Sequence, residues 1–158
     1  MPTDLRILAQ HADDGEAFWF LDALSIIKLS GKQTGGAFAL VEDRLPAGRG
    51  TPYHQHQRED ETFHLLEGSM TFYSGSNKFT AGPGATVFLP RGIPHGFRSE
   101  TPGRVLILTT PAGFDEFVRE AGEPATSLVI PEPKQPDVQQ LTAVAARYGI
   151  EILGPLPE

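Results

Sequence analysis

The feature of this sequence that most constrains its fold is the even spacing of short apolar stretches between Gly48 and Thr110. They recur roughly every eight to twelve residues and are separated by glycines and prolines, a pattern typical of an antiparallel β-sandwich or β-barrel. Two more apolar stretches precede them. The predicted strands are Leu24–Leu29, Ala37–Leu45, Glu61–Glu67, Ser69–Ser74, Lys78–Thr80, Ala85–Pro90, His95–Glu100 and Arg104–Thr110. We therefore predict an all-β fold, with a barrel core at about residues 24–110.

The pattern becomes helical after the last predicted strand. Phe114, Phe117 and Val118 follow an i, i+3, i+4 spacing, which predicts a short amphipathic helix from about Gly113 to Ala121. A second helix is predicted to begin after Asp137 as its N-cap and to end at Gly149. No internal repeat or long linker divides the 158 residues. We expect one domain over residues 1–158, with a small helical tail at about 111–158.

Composition and charge exclude several classes of partner. The chain has 13 basic and 20 acidic residues and no basic run, so we expect no nucleic-acid ligand. No apolar run approaches the ~20 residues of a membrane span, so we expect no membrane partner. The chain has no cysteine, which leaves only nitrogen and oxygen ligands for a metal. Together with an acidic N-terminal segment, this composition predicts a cytoplasmic protein.

The clearest candidates for chemistry are two histidines one residue apart, His54 and His56. Pro52 favours extended backbone for the residue before it, which argues for a strand rather than a helix here. Side chains two apart on a strand point to the same face, roughly 6.6 Å apart. Both imidazoles are therefore predicted to enter one space.

Glu61 follows His56 by an odd number of residues, so an uninterrupted strand would place the two on opposite faces. We expect the polar stretch between them to loop back, so that Glu61 opens the next strand and faces the same interior as Phe63. A buried carboxylate is costly unless it is paired or binds a metal. Glu59 and Asp60 are neighbouring carboxylates that could compete with it, although we expect them to lie in a solvated loop.

These residues fall at spacings that resemble the first motif of the cupin superfamily. Gly48 is followed after five residues by the pair His54 and His56. Glu61 follows after four more residues, and Gly68 after another six. The spacing matches the family motif at every step.

A second stretch resembles the second cupin motif. Gly84 is followed after five residues by Pro90 and Gly92, and two residues separate that glycine from His95. The departure is at the end of the motif, where Ser99 stands in place of the usual Asn. That Asn is not usually a metal ligand, so the departure leaves the expected metal site intact.

The resemblance covers about Ala37 to Thr110 and implies a cupin-type antiparallel β-barrel, that is, a jelly roll. It also implies one divalent metal ion, held by His54, His56, Glu61 and His95. Three imidazoles and one carboxylate suit Fe, Ni, Mn, Co, Cu or Zn, and the residues do not choose among these metals. A divalent ion with one carboxylate has a net charge of about +1, which favours an anionic or enolate ligand.

Within the superfamily, the chain most resembles small single-domain quercetin 2,3-dioxygenase-like cupins. The similar stretches are Pro52–His56, Gly84–Phe97 and the helix that follows the barrel. The resemblance implies a dioxygenase of an enolic or phenolic aromatic compound, with O2 and a small molecule as substrates and Glu61 as a catalytic base. Two alternatives stay open: a metal-dependent isomerase or lyase of a small keto-acid or sugar, and a barrel that binds a small molecule or metal without catalysis.

Other residues allow either a functional or a structural interpretation. Aromatic side chains that could line a substrate pocket, or simply form core, are Phe63, Phe97, Phe114 and Phe117. The predicted helix at residues 113–121 could close the barrel mouth or support the barrel from below. His64 is predicted to lie on the outer face and His11 in solvent.

We also expect a homodimer. The stretch Leu24–Leu29 is apolar on both faces, which suits burial on both sides. The resemblance points the same way, because single-domain cupins commonly pair back to back.

Overall fold

The computed structural model describes residues 5–157 and contains every strand predicted from the sequence. The first half of the chain forms β1 (Glu16–Phe20), β2 (Ala23–Leu29), α1 (Gly31–Thr34), β3 (Ala39–Leu45), β4 (Tyr53–His56), β5 (Asp60–Glu67) and β6 (Met70–Ser74). The second half forms β7 (Asn77–Ala81), β8 (Thr86–Leu89), β9 (Gly96–Ser99), β10 (Gly103–Thr110), α2 (Phe114–Ala121), β11 (Glu123–Pro124), α3 (Val138–Arg147) and β12 (Ile150–Gly154).

The strands form two walls of a barrel, and all strand pairs are antiparallel. One wall is a seven-stranded sheet in the order β11-β1-β2-β3-β10-β5-β8. The other consists of β12-β4 and of β7-β6-β9, which meet through isolated bridges at His54–His95 and Gly50–Arg98. The predicted fold class, an all-β jelly-roll barrel with a small helical tail, is confirmed.

The core lies between the two walls because alternate residues of each strand point inward. Its fully buried side chains come from strands of both walls, and among them are Val41, Phe63, Leu65, Phe72, Val105 and Ile107. Gly68, the last residue of the first motif, begins the turn after β5 with a φ of +80°. A Cβ there would lie 2.5 Å from the Pro102 carbonyl oxygen, so only glycine fits.

The outer face of β2 is already covered within the chain. Leu24 and Ile26 are both 0% exposed. Lys28 lies on the same face, and its Nζ donates to the carbonyl oxygens of His11 (2.6 Å) and Asp14 (2.7 Å). The segment before β1 therefore crosses this face. The apolar residues on both faces of β2, which suggested an interface between subunits, are buried within one chain.

The two predicted helices are present and pack against the barrel. Asp137 caps α3 by accepting a hydrogen bond from the backbone N–H of Gln140 (3.0 Å). Gly149, with a φ of +72°, ends this helix and turns the chain into β12. The strand β12 was not predicted, and it lies beside β4 with Ile150 opposite His56. Within residues 5–157, no helix has the length and apolar character needed to cross a membrane.

Candidate metal centre

Four side chains converge on one point inside the barrel. His54 and His56 come from β4, Glu61 from β5, and His95 from the turn before β9. Their ligand atoms all lie within 4.8 Å of one another. His56, Glu61 and His95 are at most 3% exposed, and His54 is half-buried. The predicted ligand residues therefore form one buried cluster, and all four line the same cavity.

The backbone around the cluster holds these side chains in place. His54 and His95 face each other in a bridge, with N–H···O distances of 2.9 and 2.8 Å in the two directions. The N–H of Gly92, the glycine of the second motif, donates to the carbonyl oxygen of His56 (2.7 Å). Glu61 lies between β8 and β10, opposite Leu89 and Thr109. Two consecutive strands, β4 and β5, thus meet the segment before β9, whose His95 lies 34 residues after Glu61.

Each histidine is oriented through its Nδ1 atom. Nδ1 lies 2.7 Å from the Pro52 carbonyl oxygen in His54, and 3.1 Å from the Ile93 carbonyl oxygen in His95. In His56, Nδ1 lies 2.9 Å from Oε1 of Glu59. Because each of these oxygens accepts a hydrogen bond, each Nδ1 carries the proton and donates it. All three Nε2 atoms are then directed to the cluster, which is the arrangement that metal-binding histidines need.

The charges in the cluster are strongly coupled. Burial lowers the pKa of His54 to about 4, and the neighbouring His95 adds to this effect. Burial also opposes a charge on His56, but the carboxylates of Glu61 and Glu59 outweigh it and raise the pKa of His56 to about 10. Burial alone would raise the pKa of Glu61, yet His56 and His95 hold it well below its usual value. The carboxylate is therefore ionised.

The donor set fits a divalent metal ion. Oε1 of Glu61 lies 2.5 Å from Nε2 of His56 and 3.2 Å from Nε2 of His95. The proton on Nε2 of His56 thus points to Glu61, at the place where the four ligand atoms converge. A cation at this point would replace that proton, because imidazole binds metals in its deprotonated, neutral form. Three imidazoles and one carboxylate bind first-row transition metals, and they do not select one of them.

A small, mainly apolar cavity of about 60 Å³ opens from the cluster. This volume accepts about four water molecules, at roughly 15 Å³ each. The walls come from both sheets, from α2 and from the last helix and strand. The apolar lining residues are Phe20, Leu21, Pro52, Phe63, Phe97, Ile107, Phe114, Phe117, Leu141, Ile150 and Ile152.

The four aromatic residues singled out in the sequence all line this cavity. Phe63 and Phe97 belong to the barrel, with ring centroids 5.5 Å apart. Phe114 and Phe117 belong to α2, and the Phe114 ring lies 6.1 Å from the imidazole of His56. The helix therefore forms one wall of the cavity and packs beside the cluster of candidate metal ligands. Contact of these rings with a substrate stays a prediction.

Two charged residues in the cavity were missed. Asp43 on β3 and Arg49 in the loop before β4 are 3% and 6% exposed, and both line the cavity. Alternation along β3 places Asp43 on the same face as Val41 and Leu45, so a signal for Asp43 was present in the sequence. Ser25 donates its hydroxyl proton to Oδ1 of Asp43 at 2.6 Å. The cavity is thus apolar but contains one buried acidic and one buried basic side chain in addition to the cluster.

One expectation about the neighbouring carboxylates is wrong. Glu59 was predicted to be solvated, but it is 3% exposed and hydrogen-bonded to His56. The reason is that the chain reverses between β4 and β5 so tightly that Glu59 points back into the barrel. Asp60 is half-buried and pairs with the exposed Arg91 (3.3 Å). His64 is exposed on the outer face, as predicted, with Thr86 as its partner (2.9 Å).

Comparison with known proteins identifies relatives of the same architecture. A family model described as the cupin domain matches residues 41–110. A quercetin 2,3-dioxygenase from Bacillus subtilis (strain 168) is 28% identical over 126 residues. That match covers 78% of this chain but only 37% of the relative, so the chain spans little more than a third of the length of the curated protein it matches.

Several solved structures share the fold. The ectoine synthase from P. lautus has a TM-score of 0.62 at 18% identity, over 82% of this chain and 96% of that one. A polyketide cyclase from Streptomyces resistomycificus has a TM-score of 0.51 at 24% identity, over 83% and 84% of the two chains. An RmlC-like cupin from Shewanella frigidimarina has a TM-score of 0.58 at 16% identity, over 68% and 96%. At these identities, the likeness is one of fold.

Proposed function

Since this chain contains a cupin domain, at residues 41–110, we propose that it is a metal-dependent dioxygenase of an enolic or phenolic aromatic compound. The observation that carries the proposal is the buried His-His-Glu-His cluster at the end of a cavity lined by aromatic side chains. The similarity to a quercetin 2,3-dioxygenase over 78% of this chain supports the same reaction class.

In this proposal, the cluster residues His54, His56, Glu61 and His95 hold one divalent ion. When bound, the ion supplies Lewis acidity and a fixed position for an ionised substrate oxygen. The three Nδ1–H hydrogen bonds keep the imidazoles directed at that position. The cavity that all four residues line is the space available to substrate and O2.

The apolar walls exclude water from the reacting atoms and provide flat surfaces for an aromatic ring. Phe114 stands closest to the cluster, at 6.1 Å from the ring of His56. Glu61 is the acidic residue within the cluster and could take the proton of a substrate hydroxyl. Its Oε1 lies 2.5 Å and 3.2 Å from the Nε2 atoms of His56 and His95, a position that suits the ligand role better.

Oxygen uptake tests this proposal. Purified protein would be freed of metal, reloaded separately with Fe(II), Ni(II) or Mn(II), and incubated with a panel of flavonols and diketones, with and without a carboxylate group. We expect substrate-dependent O2 consumption with at least one metal, and none with metal-free protein or with His95→Ala. Metal-loaded protein that consumes no O2 across the panel would contradict the dioxygenase reaction.

The size of the cavity favours a second candidate, an isomerase or lyase of a small keto-acid or sugar. A volume of about 60 Å³ is far below the ~300–1,000 Å³ of typical pockets for drug-sized ligands. A flavonol would require α2 or α3 to move outward, whereas a compound of a few heavy atoms needs little rearrangement. Turnover of keto-acids without O2 consumption would favour this candidate over the dioxygenase.

We also propose that the protein is a homodimer. Support comes from apolar side chains that remain exposed beside a groove on β7 and β8: Phe79 is 45% exposed, Phe88 61% and Ile93 47%. Burial of such a patch against a second copy would remove apolar surface from water. Light scattering at micromolar concentration tests it, and a mass near the 17.1 kDa of one chain would overturn it.

A further inference from the structure

Arg49 lines the same cavity, but the proposed reaction gives it no role. Its backbone is fixed by Ser99, the residue at which the sequence departs from the second motif. Ser99 is 0% exposed, and its Oγ accepts from the N–H of Arg49 at 3.0 Å and also contacts the Arg49 carbonyl oxygen at 3.1 Å. The Ser99 N–H donates to the same carbonyl oxygen at 2.8 Å. The loop therefore presents Arg49 to the cavity in a defined orientation.

The guanidinium of Arg49 is only partly satisfied by the protein. Its Nε donates to the Leu21 carbonyl oxygen, and its Cζ lies 5.3 Å from the centre of the Phe97 ring. Its Nη1 is buried and has no hydrogen-bond partner among the described residues. A buried charged donor without a partner is costly, and in native proteins such a group calls for a specific explanation.

A structural ion pair does not provide that explanation. Asp43 is the nearest acidic candidate in the cavity, but its Oδ1 accepts from Ser25. Within residues 5–157, no carboxylate oxygen comes within 4.0 Å of the Arg49 guanidinium. Burial lowers the pKa of Arg49, and Asp43 and Asp22 oppose this effect through their negative charge. Nη1 is therefore a buried donor without a partner, on a side chain that lines the cavity.

We propose that Arg49 binds a carboxylate of the substrate inside this cavity. This inference rests on the proposed function in using the same cavity, and it narrows the substrate class to compounds that carry a carboxylate. Guanidinium is suited to this role because its donors match a carboxylate in geometry and because it stays ionised when buried. Stacking on Phe97 and the bond to Leu21 fix the plane of the guanidinium before the ligand arrives.

A binding experiment with metal-free protein tests the inference without requiring turnover. The probes are pyruvate and pyruvamide, which are nearly equal in size but differ in charge, and NMR titration of the full chain gives both dissociation constants. We expect the wild type to bind pyruvate at least about tenfold more tightly than pyruvamide, as charge-assisted hydrogen bonds to a buried group imply.

Two variants and one control assign the preference to Arg49. Arg49→Gln should bind the two probes equally, and Arg49→Lys should show a reduced preference because a lysine cannot form the planar, two-pronged contact. Arg98→Gln removes an exposed arginine on β9 and should leave the preference unchanged. If Arg49 had a purely structural role, its variants would lower the melting temperature but leave the ratio of the two dissociation constants unaltered.

The outcomes separate the inference from the reaction. Equal binding of the probes by the wild type, or a preserved preference in Arg49→Gln, would overturn the carboxylate role. If Arg49→Gln does not fold, the Arg49→Lys variant is used instead. A preference for pyruvate in Arg49→Lys equal to that of the wild type would overturn the carboxylate role. A carboxylate preference that depends on Arg49 supports the inference even if no O2 is consumed, in which case only the dioxygenase reaction fails.

Discussion

Oε1 of Glu59 lies 2.9 Å from Nδ1 of His56, so a carboxylate that is not itself in the cluster fixes one imidazole of the cluster. Both side chains are 3% exposed, and the hydrogen bond between them is therefore shielded from water. It directs the other ring nitrogen of His56 toward Glu61. Carboxylate–histidine pairs of this kind orient metal-binding imidazoles and make them better donors.

We predict that Glu59→Gln weakens metal binding by roughly 10–100-fold, as loss of a hydrogen-bonding partner behind a metal ligand generally does. The amide keeps the size of the side chain but removes its charge. Affinity for Zn(II) would be measured by competition with a chromogenic chelator. Glu100→Gln, at an exposed site, is the matched control, and equal affinities of the two variants would show that Glu59 has no supporting role.

Removal of a predicted ligand should have a larger effect. For His54→Ala and His95→Ala, we expect metal affinity to fall by more than the roughly 10–100-fold of a lost supporting bond, and activity to be lost with it. His64→Ala is the control, because His64 is an exposed histidine on the outer face of β5. Metal content after dialysis distinguishes the variants, and full occupancy in His95→Ala would remove that residue from the ligand set.

Glu61→Gln separates the role of a ligand from that of a base. The amide retains a coordinating oxygen but cannot accept a proton at neutral pH. If Glu61 is a base, turnover should fall by ~10²–10⁴-fold with metal retained. Because the ligand atoms of Glu61 and the three histidines all lie within 4.8 Å of one another, we expect loss of metal instead. Metal content and turnover measured on the same preparation decide between the two roles.

Metal binding should stabilise the fold. A ligand that binds only the folded state, at 100 times its dissociation constant, contributes about 2.7 kcal/mol. For a chain of this size, this corresponds to a rise in melting temperature of about 5–10 °C. Thermal denaturation with and without metal, followed by addition of a chelator, measures the effect. No shift with any of Fe(II), Ni(II), Mn(II) or Zn(II) would contradict the metal site.

The ion pair of Asp60 and Arg91, which is not part of the cluster, should make the stability of the fold depend on pH. Hydrogen bonds from the Arg91 side chain and backbone hold the pKa of Asp60 below its usual value. A lowered pKa in the folded state stabilises the fold above the usual carboxyl pKa, and this contribution is lost as the pH falls through the lowered value. Carbon-13 NMR titration of Asp60 should show the lowered midpoint, and Arg91→Gln should raise it toward the ordinary value.

The barrel strands and the ligand cluster could be predicted from the sequence because their signals are local. The alternation of Val41, Asp43 and Leu45 along β3 and the glycines between strands are properties of single segments. The pairing of His54 and His56 on one face also follows from the period of a strand. That these two histidines converge with Glu61 and His95 was predicted from the spacing of the two cupin-like motifs.

The features that sequence reasoning missed depend on contacts between distant segments. The burial of Glu59 follows from the tight reversal between β4 and β5, and composition indicated a solvated loop instead. β12 has only one clearly apolar face and becomes a strand because β4 offers it an edge. Arg49 is aimed into the cavity through Ser99, which is 50 residues away in the chain. Local patterns contain no information on such partners.

The pairing of β4 with β12 has a consequence for biosynthesis. Ile150, which pairs with His56, is synthesised 94 residues after it, so β4 emerges from the ribosome long before its neighbour exists. Closing so long a loop is a late and entropically costly step of folding. Until then, the strand that carries two of the three cluster histidines has one unpaired edge. Loading of the metal should therefore follow translation of residues 150–154 rather than accompany the formation of the first strands.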